Sequence, residues 1–207
     1  MFYKYPRTPH LPWSQGKSDD DKVLKDVEHF NGKELIATIK MDGENTTMYH
    51  DHIHARSIDS KDHESRHWIK AFHSGIKHLI PEGWRICGEN LFAKHSIGYD
   101  NLQSYFYGFS IWDETNVCLS YADTEEIFKD IGIVPVLSFA CGTPEEIDKE
   151  FHKSFDDKSE GYVIRLQSDF KYEDFHTSVA KYVRANHVQT NKHWMHQKVV
   201  PNKLKCL

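Results

Sequence analysis

Lys40-Met41-Asp42-Gly43-Glu44-Asn45 is the segment of this chain best suited to do chemistry. The lysine closes an apolar, β-prone run, Glu34 to Ile39, and Asp-Gly follows two residues later. That arrangement presents an amine beside a tight turn. An ammonium is not a nucleophile, so such a lysine acts only if desolvation or a nearby cation keeps it neutral. Asp42 would then hold the turn or meet a ligand's hydroxyls, and Gly43 would let backbone approach a ligand closely. The same six residues also read as a surface hairpin, for which Asp-Gly after an alternating strand is the commonest short signal. Alone, they leave both readings open.

The elements that must position this lysine are mostly strands. Patterning predicts strands near 34–40, 45–49, 52–58, 84–90, 104–113, 133–139, 160–167 and 178–184, and helices near 62–79, 123–131 and 144–152. Helix and strand do not alternate regularly and no glycine-rich phosphate loop is present, which tells against a doubly wound parallel sheet. The expected class is α+β, with mainly antiparallel sheets flanked by helices. Residues 1–33 read as an N-terminal arm, with Pro6, Pro9, Pro12 and Ser14-Gln15-Gly16, followed by a short amphipathic helix started by Asp19-Asp20-Asp21 and facing inward through Val23, Leu24, Val27 and Phe30. His10, Trp13 and Ser14 suggest an arm packed on the core, with substrate contact also conceivable. The expected organisation is one domain, with a core at 34–184 and a short tail at 185–207 carrying one helix around 190–198.

Composition excludes several classes. At 207 residues, 39% hydrophobic, 13% aromatic and 28% charged, the chain can bury one sizeable core and is not mainly disordered. It has neither a span-length apolar stretch nor a signal-peptide h-region, so a cytoplasmic protein without membrane contact is expected. Four scattered cysteines, Cys87, Cys118, Cys141 and Cys206, form no Cys-x-x-Cys pair and read as reduced thiols. A net charge of -5 argues against indiscriminate coating of nucleic acid but permits a local basic groove. His50, His52 and His54 alternate, which would place them on one strand face; without cysteine partners, a polar face bordering the site is the better reading than zinc.

The order of several segments resembles the covalent nucleotidyltransferases, the superfamily of polynucleotide ligases and capping enzymes, and most closely the ATP-dependent RNA ligases. Lys40 to Asn45 is similar to their nucleotidyl-lysine motif, and the resemblance spans residues 40–184. It implies that Ile39, Lys40, Asp42 and Asn45 meet the nucleotide, and that Arg56, in His54-Ala55-Arg56-Ser57, touches its phosphate or sugar. Glu89, in Ile86-Cys87-Gly88-Glu89-Asn90, would contact the ribose. An aromatic of Tyr105 to Asp113, with Phe106 the one chosen, would stack on the purine. Glu160, in Ser159 to Arg165, would help hold a divalent metal, and Lys181, in Val179 to Arg184, would contact phosphate. Lys40, Glu160 and Lys181 are the implied catalytic set.

Elementary chemistry supports the grouping. Nucleotidyl transfer develops negative charge on phosphate oxygens, which Arg56, Lys181, Arg184 and a Mg2+ or Mn2+ ion would stabilise. Glu160 is an oxygen ligand of the kind a hard cation takes, and Phe106 offers adenine an aromatic face. Singly, each is equally an ordinary strand or core residue; their fixed order with Lys40 carries the reading. Two departures narrow it. Asn45 stands where DNA ligases and capping enzymes have arginine, as in some RNA ligases, and only 23 residues follow Arg184, too few for an oligonucleotide-binding barrel. Val183 stands where a second lysine is expected, leaving Arg184 as a substitute.

The resemblance thus implies an ATP-dependent RNA ligase of RNA repair, joining 5′-phosphate and 3′-hydroxyl ends of nicked or broken RNA, or an RNA/DNA duplex, through a lysyl-AMP intermediate. A minimal DNA or mixed-strand nick ligase and a non-catalytic nucleotide- or RNA-binding relative are the alternatives. No protein partner is indicated, although one could supply substrate affinity.

Overall fold

A computed structural model describes residues 1–155, 159–185 and 198–206. Two sheets organise them. The first has the order β11-β9-β1-β8 and consists of β11 (Val179–Val183), β9 (Gly161–Leu166), β1 (Leu35–Lys40) and β8 (Ser138–Cys141), all antiparallel. The second runs β10-β6-β5-β4-β2-β3, from β10 (Phe170–Lys171) and β6 (Val117–Cys118) through β5 (Phe106–Trp112), β4 (Arg85–Asn90) and β2 (Glu44–Tyr49) to β3 (Ile53–Ala55). Its last member, β7 (Val134–Pro135), lies parallel to β5.

Burial follows from this layering. β1 is central in its sheet, and five consecutive residues from Leu35 to Ile39 are buried, which is why it reads as a continuous apolar run rather than an alternating one. A core between the sheets gathers Leu35, Ala37, Tyr162, Ile164 and Tyr182 from one and Cys87, Trp112 and Cys118 from the other. A second core, with Met48, Ile86, Phe106 and Ile111, is covered by α1 (His67–Ile76) and α2 (Tyr121–Ile131) through Ile69 and Phe128. α3 (Pro144–Ser154) adds Ile147 and Phe151 to the first core. A capping box between Thr143 and Glu146, with Pro144 in the first turn, fixes its start. A fourth, one-turn helix, α4 (Phe175–Ser178), precedes β11.

β1 and β2 do not pair. Each pairs with other strands of its own sheet, so Met41-Asp42-Gly43 carries the chain from one sheet to the other, and the hairpin reading is overturned. Gly43 is required by close approach: a Cβ there would lie 2.6 Å from Asn90 O and 2.7 Å from Leu91 Cδ2.

The expected mixed antiparallel architecture is present, with differences in detail. The predicted strand 133–139 divides into β7 and β8, one in each sheet, and the two-residue strands β6 and β10 gave no sequence signal. The predicted helix 62–79 is α1 flanked by single 3-10 turns at Glu64–Arg66 and Lys77–Leu79. No helix starts at the triple aspartate; only a 3-10 turn at Glu28–Phe30 forms. Backbone groups there are engaged with the arm instead: His10 N donates to Lys22 O (2.7 Å) and Leu24 N donates to His10 O (2.8 Å). Leu24, Val27 and Phe30 still pack on the core. The helix expected near 190–198 falls almost wholly on residues 186–197, outside the described residues.

Candidate active site

Between the sheets lies a cavity of about 1140 Å³. Ile39, Lys40, Asn45, Arg56, Glu89 and Lys181 all line it, although they come from five different segments of the chain. Lys40, the last residue of β1, sits at its wall with Nζ 2.7 Å from Glu160 Oε2; their side chains are 24% and 7% exposed. Glu160 precedes β9, and its backbone is held by Arg184, the residue after β11: Arg184 N donates to Glu160 O (3.0 Å) and Arg184 Nε donates to Ser159 O (2.8 Å). Gly161 at φ 157 completes the approach, since a Cβ there would lie 2.0 Å from Tyr182 O. Arg184 does not line the cavity, so the structure gives it the work of holding the Glu160 loop.

Charge at the lysine is set by two opposing effects. Burial pulls the Lys40 ammonium down, but Glu160, Glu89 and Asp42 outweigh it and hold its pKa above the ordinary lysine value. Glu89 faces Asn45 across β4 and β2 and accepts from Gly43 N (3.2 Å). Burial, with Glu160 and Asp42 against the pull of Lys40, pushes its pKa up to about 8. Lys181 is depressed by burial and then by Lys40 and Arg56, although Asp21 Oδ1 lies 4.0 Å away. Burial and Arg7 lower Arg56. Asn45 Oδ1 is buried without a hydrogen-bond partner.

Two expected contacts fall elsewhere. Asp42 turns away from the cavity: its Oδ2 accepts from Ser96 N (2.8 Å) and Ile97 N (2.7 Å), and its own N donates to Tyr99 Oη (2.9 Å). Its role here is to hold the turn. Phe106 is fully buried in the outer core against Phe72 and does not reach the cavity, which corrects its assignment as the stacking aromatic. Phe109 faces the cavity instead. Cys87 pairs with Ser110 and Gly88 with Gly108, so Phe109 is the extra residue of a β-bulge that resets the alternation of β5. Three aromatics in Phe106-Tyr107-Gly108-Phe109 were visible in sequence; the bulge that turns Phe109 to the cavity was not.

Sequence reasoning also missed Tyr5 and Arg7 from the arm, Lys61 and Arg66 from the segment after β3, and Arg165 on β9, all of which line the cavity. Arg66 makes a bidentate pair with Glu44 through Nε (2.8 Å) and Nη2; Arg56, Lys61 and Arg66 are interleaved with Asp59, Asp62 and Glu64, so no basic run marked the stretch. His50, His52 and His54 do not border the cavity; His54 is buried with Nδ1 on Ala55 O (2.5 Å), and Phe2 stacks on His52. Among the described residues no group of three or more His, Cys, Asp or Glu side chains gathers to hold a metal. Glu89 and Glu160 are nevertheless hard oxygen donors in a place where carboxylate charge is crowded, which fits a divalent cation that takes its other ligands from a bound phosphate.

A lysine amine thus lines a cavity between two mainly antiparallel sheets, with carboxylates beside it and cations on the same wall, in an α+β fold of the nucleotidyltransferase type. The chain belongs to the RNA ligase family, whose model matches residues 33–183. An archaeal ATP-dependent RNA ligase is similar in structure, with a TM-score of 0.59 at 17% identity over 88% of this chain and 48% of that one. The RNA ligase of Naegleria gruberi solved with PPi gives a TM-score of 0.51 at 16% identity, over 89% of this chain and 61% of that one. A variant of the Naegleria enzyme solved with ATP and Mn gives 0.51 at 15% identity, over 89% and 63%. The chain therefore spans roughly half to under two thirds of the length of these structures. No curated protein matches it. No helix among the described residues is long and apolar enough to cross a membrane.

Proposed function

We propose that this protein is an ATP-dependent RNA ligase that joins 5′-phosphate and 3′-hydroxyl ends through AMP carried on Lys40. The observation that carries this reading is the Lys40 amine, held 2.7 Å from Glu160 at the wall of a cavity large enough for a nucleotide. ATP enters with its base between the sheets, against Phe109 and Val163, and its phosphates toward Arg56 and Lys181. Asn45 Oδ1, buried and unpaired, is a ready acceptor for a ligand hydroxyl or amine.

Lys40 reacts as the neutral amine, and Glu160 is the adjacent group able to take its proton. The Nζ–Pα bond forms as the bond from Pα to the β-phosphate oxygen breaks, and pyrophosphate leaves with the electron pair. A 5′-phosphate oxygen of RNA then displaces the lysine, breaking N–P and restoring the amine. Finally the 3′-hydroxyl oxygen attacks that 5′-phosphate and AMP departs. Lys181 and Arg56 face the charge that grows on phosphate oxygens in each step. A Mg2+ or Mn2+ ion held by Glu89 and Glu160 would neutralise phosphate charge and favour the neutral form of the neighbouring amine.

The substrate is tested with nicked duplexes that differ only in the sugar bearing the 3′-hydroxyl. Ribose ends are expected to seal faster, because the 2′-hydroxyl is what distinguishes RNA at such a site. Equal sealing of deoxyribose ends would remove the preference for RNA and leave a general nick ligase.

A further inference from the structure

The N-terminal arm is the one conspicuous sequence feature that the chemistry above leaves unused. Four consecutive arm residues, Tyr5 to Thr8, form part of the wall of the Lys40 cavity. They are held in register with the catalytic strand: Lys181 N donates to Pro9 O (2.9 Å) and Leu11 N donates to Lys181 O (2.8 Å). Ser14 Oγ and the backbone of Gln15 and Gly16 continue the contact at Val183. The arm is thus an added edge on β11, and Arg7 rides on it two residues before the pairing begins.

Arg7, Arg56 and Lys61 are exposed and Lys181 half-buried, and all four line the same cavity. Arg7 is near enough to Arg56 to depress it, and Arg56 in turn depresses Lys181, so like charges converge here. Asp20 and Asp21 share the wall, but Arg7 Nη1 bonds the Asp20 backbone carbonyl (3.2 Å), and Asp21 Oδ2 is taken by Ser18 N and Oγ (both 2.9 Å). Lys181 has Asp21 Oδ1 at 4.0 Å, but Arg7, Arg56 and Lys61 make no ion pair among the described residues, and exposed cations gathered in this way are a site for an anion. Attack by Lys40 requires the leaving group on the side of Pα away from Nζ, and the apolar interior beside Phe109 and Val163 suits the base. The β- and γ-phosphates therefore point outward, toward the exposed cations.

We propose that the arm is a phosphate-binding element, in which Arg7, together with Arg56 and Lys61, holds the β,γ-phosphates of the nucleotide and the pyrophosphate that leaves. This rests on the nucleotidyl-lysine reading but is separable from it by a binding measurement. Calorimetric titration of inorganic pyrophosphate into the full chain carrying Lys40→Ala is expected to show binding that Arg7→Ala weakens roughly ten-fold or more and Arg7→Lys partly restores. In the chain with Lys40 intact, Arg7→Ala is expected to slow self-adenylylation and its reversal by pyrophosphate together. Sealing of RNA that already carries a 5′-AMP cap involves no polyphosphate and is expected to fall far less. Unchanged pyrophosphate affinity and unchanged self-adenylylation would overturn the assignment. Normal self-adenylylation with loss of AMP transfer to 5′-phosphate RNA would overturn it in favour of the RNA phosphate as the bound anion. Equal loss in every arm, without rescue by Arg7→Lys, would reduce the arm to a structural edge. Should the parent chain bind pyrophosphate through Arg7 yet never label, the ligase reading fails and the anion site stands.

Discussion

At the residue scale, Glu89 carries the clearest pH signature. Its pKa rises from the ordinary 4.5 to about 8 in the folded chain, first because of burial and then because Glu160 and Asp42 add negative charge. An acid raised on folding is protonated in the native state while already ionised in the unfolded state, so stability falls as pH climbs from about 4.5 toward 8. Glu89→Gln keeps an acceptor for Gly43 N and removes that penalty. Its melting temperature, followed by circular dichroism, is expected to match the parent near pH 5 and exceed it by a growing margin up to pH 8; a parallel pair of curves would refute the buried-carboxylate account. Phe106 and Phe109 of β5 separate by readout. Phe106→Ala is expected to cost about 3–5 kcal/mol of stability, as for other buried phenylalanines. Phe109→Ala is expected to spare stability far better and to weaken ATP binding about ten-fold through loss of base stacking. Equal effects on ATP binding would put the base elsewhere. That Lys40, Arg56, Glu89 and Lys181 would share one cavity was legible because each sits in a short segment whose order mirrors a known family. Phe109 was not, because a one-residue bulge lies in backbone pairing between β4 and β5, which alternation along a single strand does not reveal.

At the scale of elements, the turn after Lys40 is a crossing between sheets, and its neighbours are distant in sequence. Asp42 is gripped by Ser96 N, Ile97 N and Tyr99 Oη, and Tyr99 N in turn donates to Asn202 Oδ1 (2.9 Å). Asn202 is 4% exposed and also donates through Nδ2 to Leu91 O (2.8 Å). Residues 198–206 thereby brace the loop that braces the turn after Lys40. Asn202→Ala is expected to cost about 1–3 kcal/mol, the usual consequence of stranding buried polar partners. It is also expected to slow self-adenylylation without changing which residue is labelled. Full activity with lowered stability would show that the brace serves folding alone. The strands themselves were readable from period-two and apolar-run patterns, and α2 and α3 from the helical patterning near 123–131 and 144–152. The tail's grip was not, because one asparagine contacting residues about a hundred positions away leaves no periodicity. The helix expected at Asp19-Asp20-Asp21 failed for a related reason: pairing with His10 competes for the same backbone groups.

At the scale of the whole molecule, a net acidic chain concentrates cations on one cavity, and a buried histidine of the arm lies close to it. His10 is 1% exposed, bonds Ser14 Oγ through Nδ1 (2.7 Å), and lies with Nε2 3.4 Å from Asp21. Burial, then Lys181, lowers its pKa to about 4. A histidine lowered on folding takes up its proton first in the unfolded state, so its neutral form stabilises above about 6.5 and that stability is lost as pH falls toward 4. His10→Gln is expected to flatten the decline in melting temperature between pH 7 and pH 5; an unchanged decline would assign the acid sensitivity to other groups. Composition had bounded the molecule correctly as one that buries a sizeable core, but it could not show that scattered cations meet, since Arg7 of the arm, Arg56 and Lys61 after β3, and Lys181 of β11 come together only in the fold. The most direct test of the account is the covalent state of Lys40. After incubation with ATP labelled at the α-phosphate and Mg2+ or Mn2+, label is expected to survive denaturation, to map to the peptide containing Lys40, and to vanish in Lys40→Ala. A chain that stays unlabelled with either metal, or a label that persists without Lys40, would contradict it.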